Sequence, residues 1–327
     1  MPTALSRLRT ELAALAGLAL PLAAAQAGQA LMGVVDTAVV GRAGPAQIAG
    51  VGLGNALFFS VAVLGIGLMM GLDPLIAQAL GAADPARARR LAWQGAHLAV
   101  RVAGAVALPL LAVPWILEPL GVPADVAEQT WRFVWWRLPG LPFLFLYVGG
   151  RAYLQAVGVS RPMVIATVAA NLVNVPLDVL LVFGGADLPA WTGPLRQLPA
   201  VGSAGAAISN TACLVLQAGI LLLALRRVPA PPLPRTARRA DGAELWRAVR
   251  VGLPTGLHMG AEVAFFALAG FLAARLGALA MAAHQLALSG ASLTFTVAVG
   301  IGAAGSVRVG LFVGARDRRG ARRAGLT

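Results

Sequence analysis

Two carboxylates stand inside apolar runs long enough to cross a lipid bilayer, and each is accompanied by amides at helical spacing. In L-P-L-A-A-A-Q-A-G-Q-A-L-M-G-V-V-D (20–36), Gln26, Gln29, Gly33 and Asp36 fall at i, i+3, i+7 and i+10, one face of a helix. In N-L-V-N-V-P-L-D (171–178), Asn171, Asn174 and Asp178 fall at i, i+3 and i+7. A carboxylate with amide neighbours offers oxygen ligands to a hard cation, or a protonatable group with hydrogen-bond partners. An ionisable residue in a membrane span is costly and points into a bundle or a wet cavity, so both acids are functional candidates. The asparagines alone would read as glue between helices. The nearby acids favour an ion site, with Asp36, Asn174 and Asp178 as a metal set only if the ion is sodium.

A third acid, Glu262, lies at i+4 from His258 and i+7 from Thr255. It reads as a second polar face, or as a Glu–His pair with a packing role. Gln285 with Ser289, Ser292 and Thr296 reads equally as cavity lining or helix contact. Asp73, in G-L-D-P-L, suits a helix-end or inter-helix role, and His97 an interfacial one. Gly300, Gly302 and Gly305 match G-x-G-x-x-G, yet no strand precedes them, so a dinucleotide site is excluded. Neither G-x-S-x-G, H-E-x-x-H nor CxxC occurs, and the chain is not expected to be an enzyme. An intramembrane aspartyl hydrolase would have the two acids and nothing else to support it.

The elements that must position these residues are membrane helices. The chain has 327 residues, is 58% hydrophobic and 12% charged, with a mean hydropathy of +0.78. Eight apolar runs span about 12–41, 47–80, 91–117, 131–153, 162–185, 202–225, 249–275 and 279–314. Prolines at 21, 109, 114, 139, 142, 176 and 254 are expected to bend them. The net charge of +13 comes from arginine alone, and 19 of the 26 arginines fall in alternate loops and the two ends. This predicts a multi-pass protein of the inner or plasma membrane with both ends of the chain cytoplasmic, in contact with lipid and not nucleic acid. Trp131, Trp135 and Trp136 beside Arg132 and Arg137 read as an aromatic belt at the outer interface. A cleavable leader is disfavoured, because its segment recurs inside the chain.

That recurrence is a duplication. At an offset of 233, Pro21 meets Pro254, Arg42 meets Arg275, Gly44 meets Gly277, Gly67 meets Gly300, Gly81 meets Gly314 and Asp84 meets Asp317. The period holds six spans, so the copies have one orientation and an axis along the membrane normal. The expected organisation is an N-lobe of six helices over 1–225, a Pro- and Arg-rich cytoplasmic linker over 226–248, and a partial C-lobe of two helices over 249–327. A complete duplication would need about 460 residues, so the expectation is of a C-terminally truncated chain, adding about 130 residues and four helices when whole. Gly67 and Gly71, and Gly252, Gly256 and Gly260, are spaced for close helix approach.

The motifs V-D-T-A-V-V-G (35–41), A-Q-A-L-G-A (77–82), N-L-V-N-V-P-L-D (171–178), A-A-H-Q (282–285) and S-V-R-V-G-L-F-V-G-A (306–315) resemble, in order, those of multidrug and toxic compound extrusion (MATE) transporters. The resemblance implies an all-α fold of two six-helix lobes forming a V around a central cavity. It implies antiport of inward protons or sodium for outward amphipathic, often cationic drugs by alternating access, with no cofactor beyond the coupling ion. Carried to this chain, Asp36, Asn174 and Asp178 correspond to the N-lobe cation site, Pro21 to a hinge in the first helix and Glu262 to a C-lobe acid. Glu262, His258, Gln285, Gln29 and Asn171 are then candidates for the substrate cavity. Two other readings compete: a lipid-linked precursor flippase, which would want an arginine-lined cavity and has only Arg101 and Arg308 within spans, and a non-transporting remnant.

Overall fold

The computed structural model describes residues 20, 23–25, 27, 28, 32, 33, 35, 36, 38–117, 119–186, 190–229 and 231–326. Pro21, Gln26 and Gln29 lie outside the described residues, as does the side chain of Gln285. The described part is all-helical. An N-terminal helical segment ending at Val40 leads to α1 (Pro45–Met69), α2 (Leu72–Gly81), α3 (Pro85–Leu111) and the short α4 (Val113–Leu117). Then come α5 (Ala124–Arg137), α6 (Leu141–Ala156), α7 (Arg161–Phe183) and α8 (Ser203–Arg227), followed by α9 (Gly242–Arg275), α10 (Ala278–Gly314) and α11 (Arg318–Leu326). Among the described residues, five stretches are long and apolar enough to cross a bilayer: Pro45–Gly81, Pro85–Leu117, Arg161–Phe183, Ser203–Arg227 and Thr236–Gly270.

Three runs that read as single spans are broken: the 91–117 run at Ala112, between α3 and α4, and two others whose breaks prolines explain. The 47–80 run divides at Met70 and Gly71. Pro74 has no N–H for the Met70 carbonyl and its ring would collide with that oxygen, so the ladder is interrupted. Asp73 N takes the Met70 carbonyl instead, at 3.1 Å. The 131–153 run divides between α5 and α6 at the turn Leu138–Gly140, where Pro139 and Pro142 each remove a donor. The sixteen-residue α6 then runs through the middle of the bundle with most of its length buried, Leu141, Phe145, Tyr153 and Leu154 nearly completely.

The helices pair as α7 on α8, α3 on α6, α1 on α5, α1 on α9 and α2 on α10. The last two pairings join the copies of the repeat, and their contacts obey the 233-residue offset. A side chain on Gly81 would run into the Leu311 carbonyl, and one on Gly314 into the Gln78 carbonyl; Gln78 and Leu311 are themselves 233 apart. Likewise Gly67 abuts Gly256, and Gly300 abuts Ala23. Ala77 and Gly310, another offset pair, face each other, with a Cβ built on Gly310 falling 2.7 Å from Ala77 Cβ. Reciprocal contacts of this kind are what a two-fold relation produces, and a residue meeting its own counterpart lies on the axis. Small residues let the backbones approach there without a side chain between them.

The turns repeat as closely as the contacts. Ala83 and Arg316, again an offset pair, are among the described residues the two non-glycine positions with positive φ, both at 58°. Asp84 Oδ1 accepts from Arg87 N at 2.8 Å, and Asp317 Oδ1 accepts from Gly320 N at 2.9 Å, each capping the helix that follows. Gly44 and Gly277 both precede a helix with φ of 122° and 109°. Between the copies, the linker is held against α3. Gln94 Nε2 donates to the Arg239 carbonyl at 2.8 Å while its Oε1 accepts from Asp241 N at 2.9 Å. His97 Nε2 donates to the Arg238 carbonyl at 2.8 Å. His97 is thus a linker contact from the middle of its helix.

Candidate cation site

The best-formed polar cluster sits where the N-terminal segment meets α7 and α8. On α7, Asn174 and Asp178 are one turn apart on a single face, as their spacing requires, and both are completely buried. Between them in sequence, Pro176 leaves the Leu172 carbonyl without its helical donor. Asp36, 9% exposed, approaches from the N-terminal segment. Asn174 Nδ2 donates to Asp36 Oδ1 at 2.9 Å, and lies 3.3 Å from both Asp178 Oδ2 and Ser209 Oγ. Asn210 Nδ2 donates to Asp36 Oδ2 at 2.9 Å and to the Ala206 carbonyl at 3.0 Å. Ser209 Oγ reaches the Asn174 carbonyl at 3.4 Å. The single amide of Asn174 thus bridges the two carboxyl groups.

This arrangement can hold a small cation. Asp178 Oδ1 and Asn174 Oδ1 are buried with no hydrogen-bond partner, which leaves unused acceptor capacity at the cluster. Two carboxylates so close repel one another unless a positive charge is shared between them, whether a proton or a metal ion. The donor set is oxygen only, suited to a hard cation. Among the described residues there is no group of three His, Cys, Asp or Glu side chains of the kind that holds a transition metal.

The remaining sequence candidates are placed elsewhere. Asn171 is half-buried and donates to the Gly28 carbonyl at 3.0 Å and the Thr167 carbonyl at 2.9 Å, joining α7 to the N-terminal segment as helix glue. Glu262 is half-buried and His258 exposed on α9, which packs on α1; neither forms a hydrogen bond or ion pair with the described residues. Asp73 is buried in the first turn of α2. Of the arginines within spans, Arg101 is exposed on α3 and Arg308 stacks on Phe312, its guanidinium 5.3 Å from the ring centre.

Two site residues on α8, Ser209 and Asn210, are absent from the sequence reading. Their signal was present: Ser203, Asn210 and Gln217 recur every seven residues in an otherwise apolar run, and all three are buried. Arg137 is the other. Trp135 and Trp136 are exposed, in keeping with a belt, but Arg137 is only partly exposed and its guanidinium lies 4.6 Å from the Phe58 ring centre and 5.3 Å from that of Phe133, two buried residues.

Comparison with known proteins agrees with this architecture. The MatE family profile matches residues 21–180 and 254–327. A probable multidrug resistance protein NorM of Deinococcus radiodurans is 35% identical over 327 residues, covering 97% of this chain and 67% of the relative. Its Shewanella oneidensis counterpart of the same name is 29% identical over 306 residues, covering 92% of this chain and 64% of the relative. The chain therefore spans just under two thirds of the Shewanella protein's length. A crystal structure of MATE in complex with MaD5 superposes with a TM-score of 0.81 at 22% identity, covering 95% of this chain and 68% of that one. That of the eukaryotic MATE transporter AtDTX14 gives 0.79 at 21%, covering 97% and 68%. With a family profile over most of its residues, the same helical fold and apolar helices of bilayer length, the chain is a multi-pass membrane protein belonging to the MatE family.

Proposed function

We propose that the protein to which this chain belongs exports amphipathic, often cationic drugs or toxic compounds in exchange for protons or sodium, and that Asp36, Asn174 and Asp178 hold the coupling ion. The observation that carries this is the buried pair of carboxyl groups bridged by one amide. Among the described residues neither acid forms an ion pair, so the positive charge they require is one that arrives and leaves. Asn210 and Ser209 hold the carboxyl groups in place through α8. In this reading residues 1–225 are one lobe, 249–327 the start of a second, and the small-residue contacts between α1–α2 and α9–α10 are where the lobes rock. Alternating access follows if the cation binds one tilt of the lobes better than the other, since an ion can shift an equilibrium only by its differential affinity. Both ends of the chain are then cytoplasmic, following the arginine distribution.

One monovalent cation in for one monovalent drug out cancels the potential term of roughly 2.3 kcal/mol per charge per 100 mV, leaving concentration gradients as the drive. The test is drug efflux from vesicles carrying the protein, under an imposed sodium gradient or an imposed pH gradient. One gradient should drive efflux in the unchanged protein and fail to do so after Asp36→Asn, at equal expression. Efflux unchanged by that substitution would remove the ion-site reading.

A further inference from the structure

Away from the carboxyl cluster, a second place in the bundle combines a charge with space beside it. Tyr147 and Arg151 stand one turn apart on α6, at i and i+4, and both line a cavity. Its other walls come from Ala25 of the N-terminal segment, Met163 of α7, and Val299 and Gly300 of α10. Since α10 belongs to the second copy of the repeat, the cavity lies on the seam between copies. The seam is tight there: a Cβ built on Gly300 falls 3.0 Å from Ala23 N. The cavity measures about 10 Å³, room for one water-sized occupant and too small for a polyatomic anion such as phosphate. Met163, unbranched and flexible, is a wall that can yield to a slightly larger one.

The polar side of this cavity is made of donors. Arg151 Nε is buried with no hydrogen-bond partner, and its guanidinium carries a permanent charge. Among the described residues Arg151 forms no ion pair, and no carboxylate lines the cavity. Asp73 on α2, which packs against α6, is not one of the walls, and its Oδ1 has no hydrogen-bond partner. Gln155, the next turn along α6, is buried and neutral, its Nε2 3.6 Å from Met163 Sδ. Burying a guanidinium without counter-charge is costly, and a dipole such as water offsets less of that cost than an anion does.

We propose that this cavity binds one small monovalent anion of the halide class, with the Arg151 guanidinium supplying the charge and the Tyr147 hydroxyl a second donor. Its walls come from both copies of the repeat, so its dimensions depend on how the copies are tilted. A bound anion favours the tilt that closes the walls on it, by its differential affinity for the two arrangements. The site is separate from the carboxyl cluster in residues and in sign of charge, and stands whether or not that cluster couples transport.

The test is thermal unfolding of the full chain in nanodiscs with chloride exchanged for gluconate at constant sodium and ionic strength. Chloride at about five times its dissociation constant should raise the melting temperature by about 2 °C. The rise should vanish in Arg151→Gln, persist in Arg151→Lys, and need about tenfold more chloride in Tyr147→Phe, which lacks one hydrogen bond to a charged group. Asp36→Asn should leave it unchanged, which separates this site from the cation cluster. Crystals of the unchanged protein grown in bromide should show anomalous scattering in the cavity, a measurement that stands even if Arg151→Gln does not fold. A melting temperature indifferent to chloride, a rise that survives Arg151→Gln or is lost in Asp36→Asn, or bromide absent from the cavity overturns the proposal and leaves a cavity that holds water only.

Discussion

The two copies of the repeat agree in their turns and contacts and disagree in their acids. Ala83 and Arg316 share a φ of 58°, and Asp84 and Asp317 make the same cap, yet the position of Asp36 in the first copy is Ala269 in the second. Glu262 instead corresponds to Gln29. Backbone geometry is retained because each turn and close approach is an interface shared by both copies, where a change must suit two partners. A carboxyl group needs only its own pocket, and the Asp36 pocket is built by α7 and α8, whereas α9 lies against α1. The duplication thus conserves a scaffold and leaves each copy free to place its charge at a different depth.

The comparison breaks most sharply at the acids. Asp36→Asn should abolish coupled efflux from vesicles while leaving the amount of protein unchanged, and adding Ala269→Asp should not restore it, because the amides of Asn174 and Asn210 converge on position 36, whereas Ala269 lies on α9, which packs on α1. Restoration would mean that the copies are chemically interchangeable. Next in size, Asn210→Ala should weaken cation-coupled efflux about tenfold, the value of a hydrogen bond to a charged group. Asn171→Ala, which breaks only helix glue, should leave efflux within twofold and lower stability by about 1 kcal/mol, read as a shift in thermal unfolding.

The scaffold comparison predicts matched effects. Gly81→Val and Gly314→Val each push a side chain into a backbone carbonyl of the other copy, so each should cost about 1–3 kcal/mol, and the two should lower the melting temperature alike. Asp84→Ala and Asp317→Ala should each cost about 1 kcal/mol through loss of the cap. The smallest effect is a gain: Ala83→Gly and Arg316→Gly relieve a left-handed backbone and should each stabilise by about 1 kcal/mol. A clear inequality within any pair would show that the two-fold relation does not extend to the energetics.

Much of this was legible from residue order because it depends on distances along one helix or on identity between copies. Asn174 and Asp178 share a face by spacing alone, and the 233-residue offset names the residues that meet across the interface. Helix breaks were partly legible: Pro139 and Pro142 were visible as bends, whereas Pro74 and the break it causes at Met70 and Gly71 were concealed by a continuous apolar run. Hydropathy measures transfer to lipid and is blind to a missing N–H.

Tertiary structure decided which faces meet. That α8 turns Ser209 and Asn210 toward Asp36, with Glu262 away on α9, depends on helix rotation and packing across more than a hundred residues of sequence. The same holds for Arg137, whose local sequence of tryptophans and arginines points to the membrane surface; the proline turn and the Thr211 bond to Trp136 turn it inward over Phe58 and Phe133. Local spacing fixes the face a residue occupies on its own helix, because helical geometry is a property of the chain. The partner across the bundle is set by steric fit and by the need to satisfy buried charge, which belong to the assembled fold.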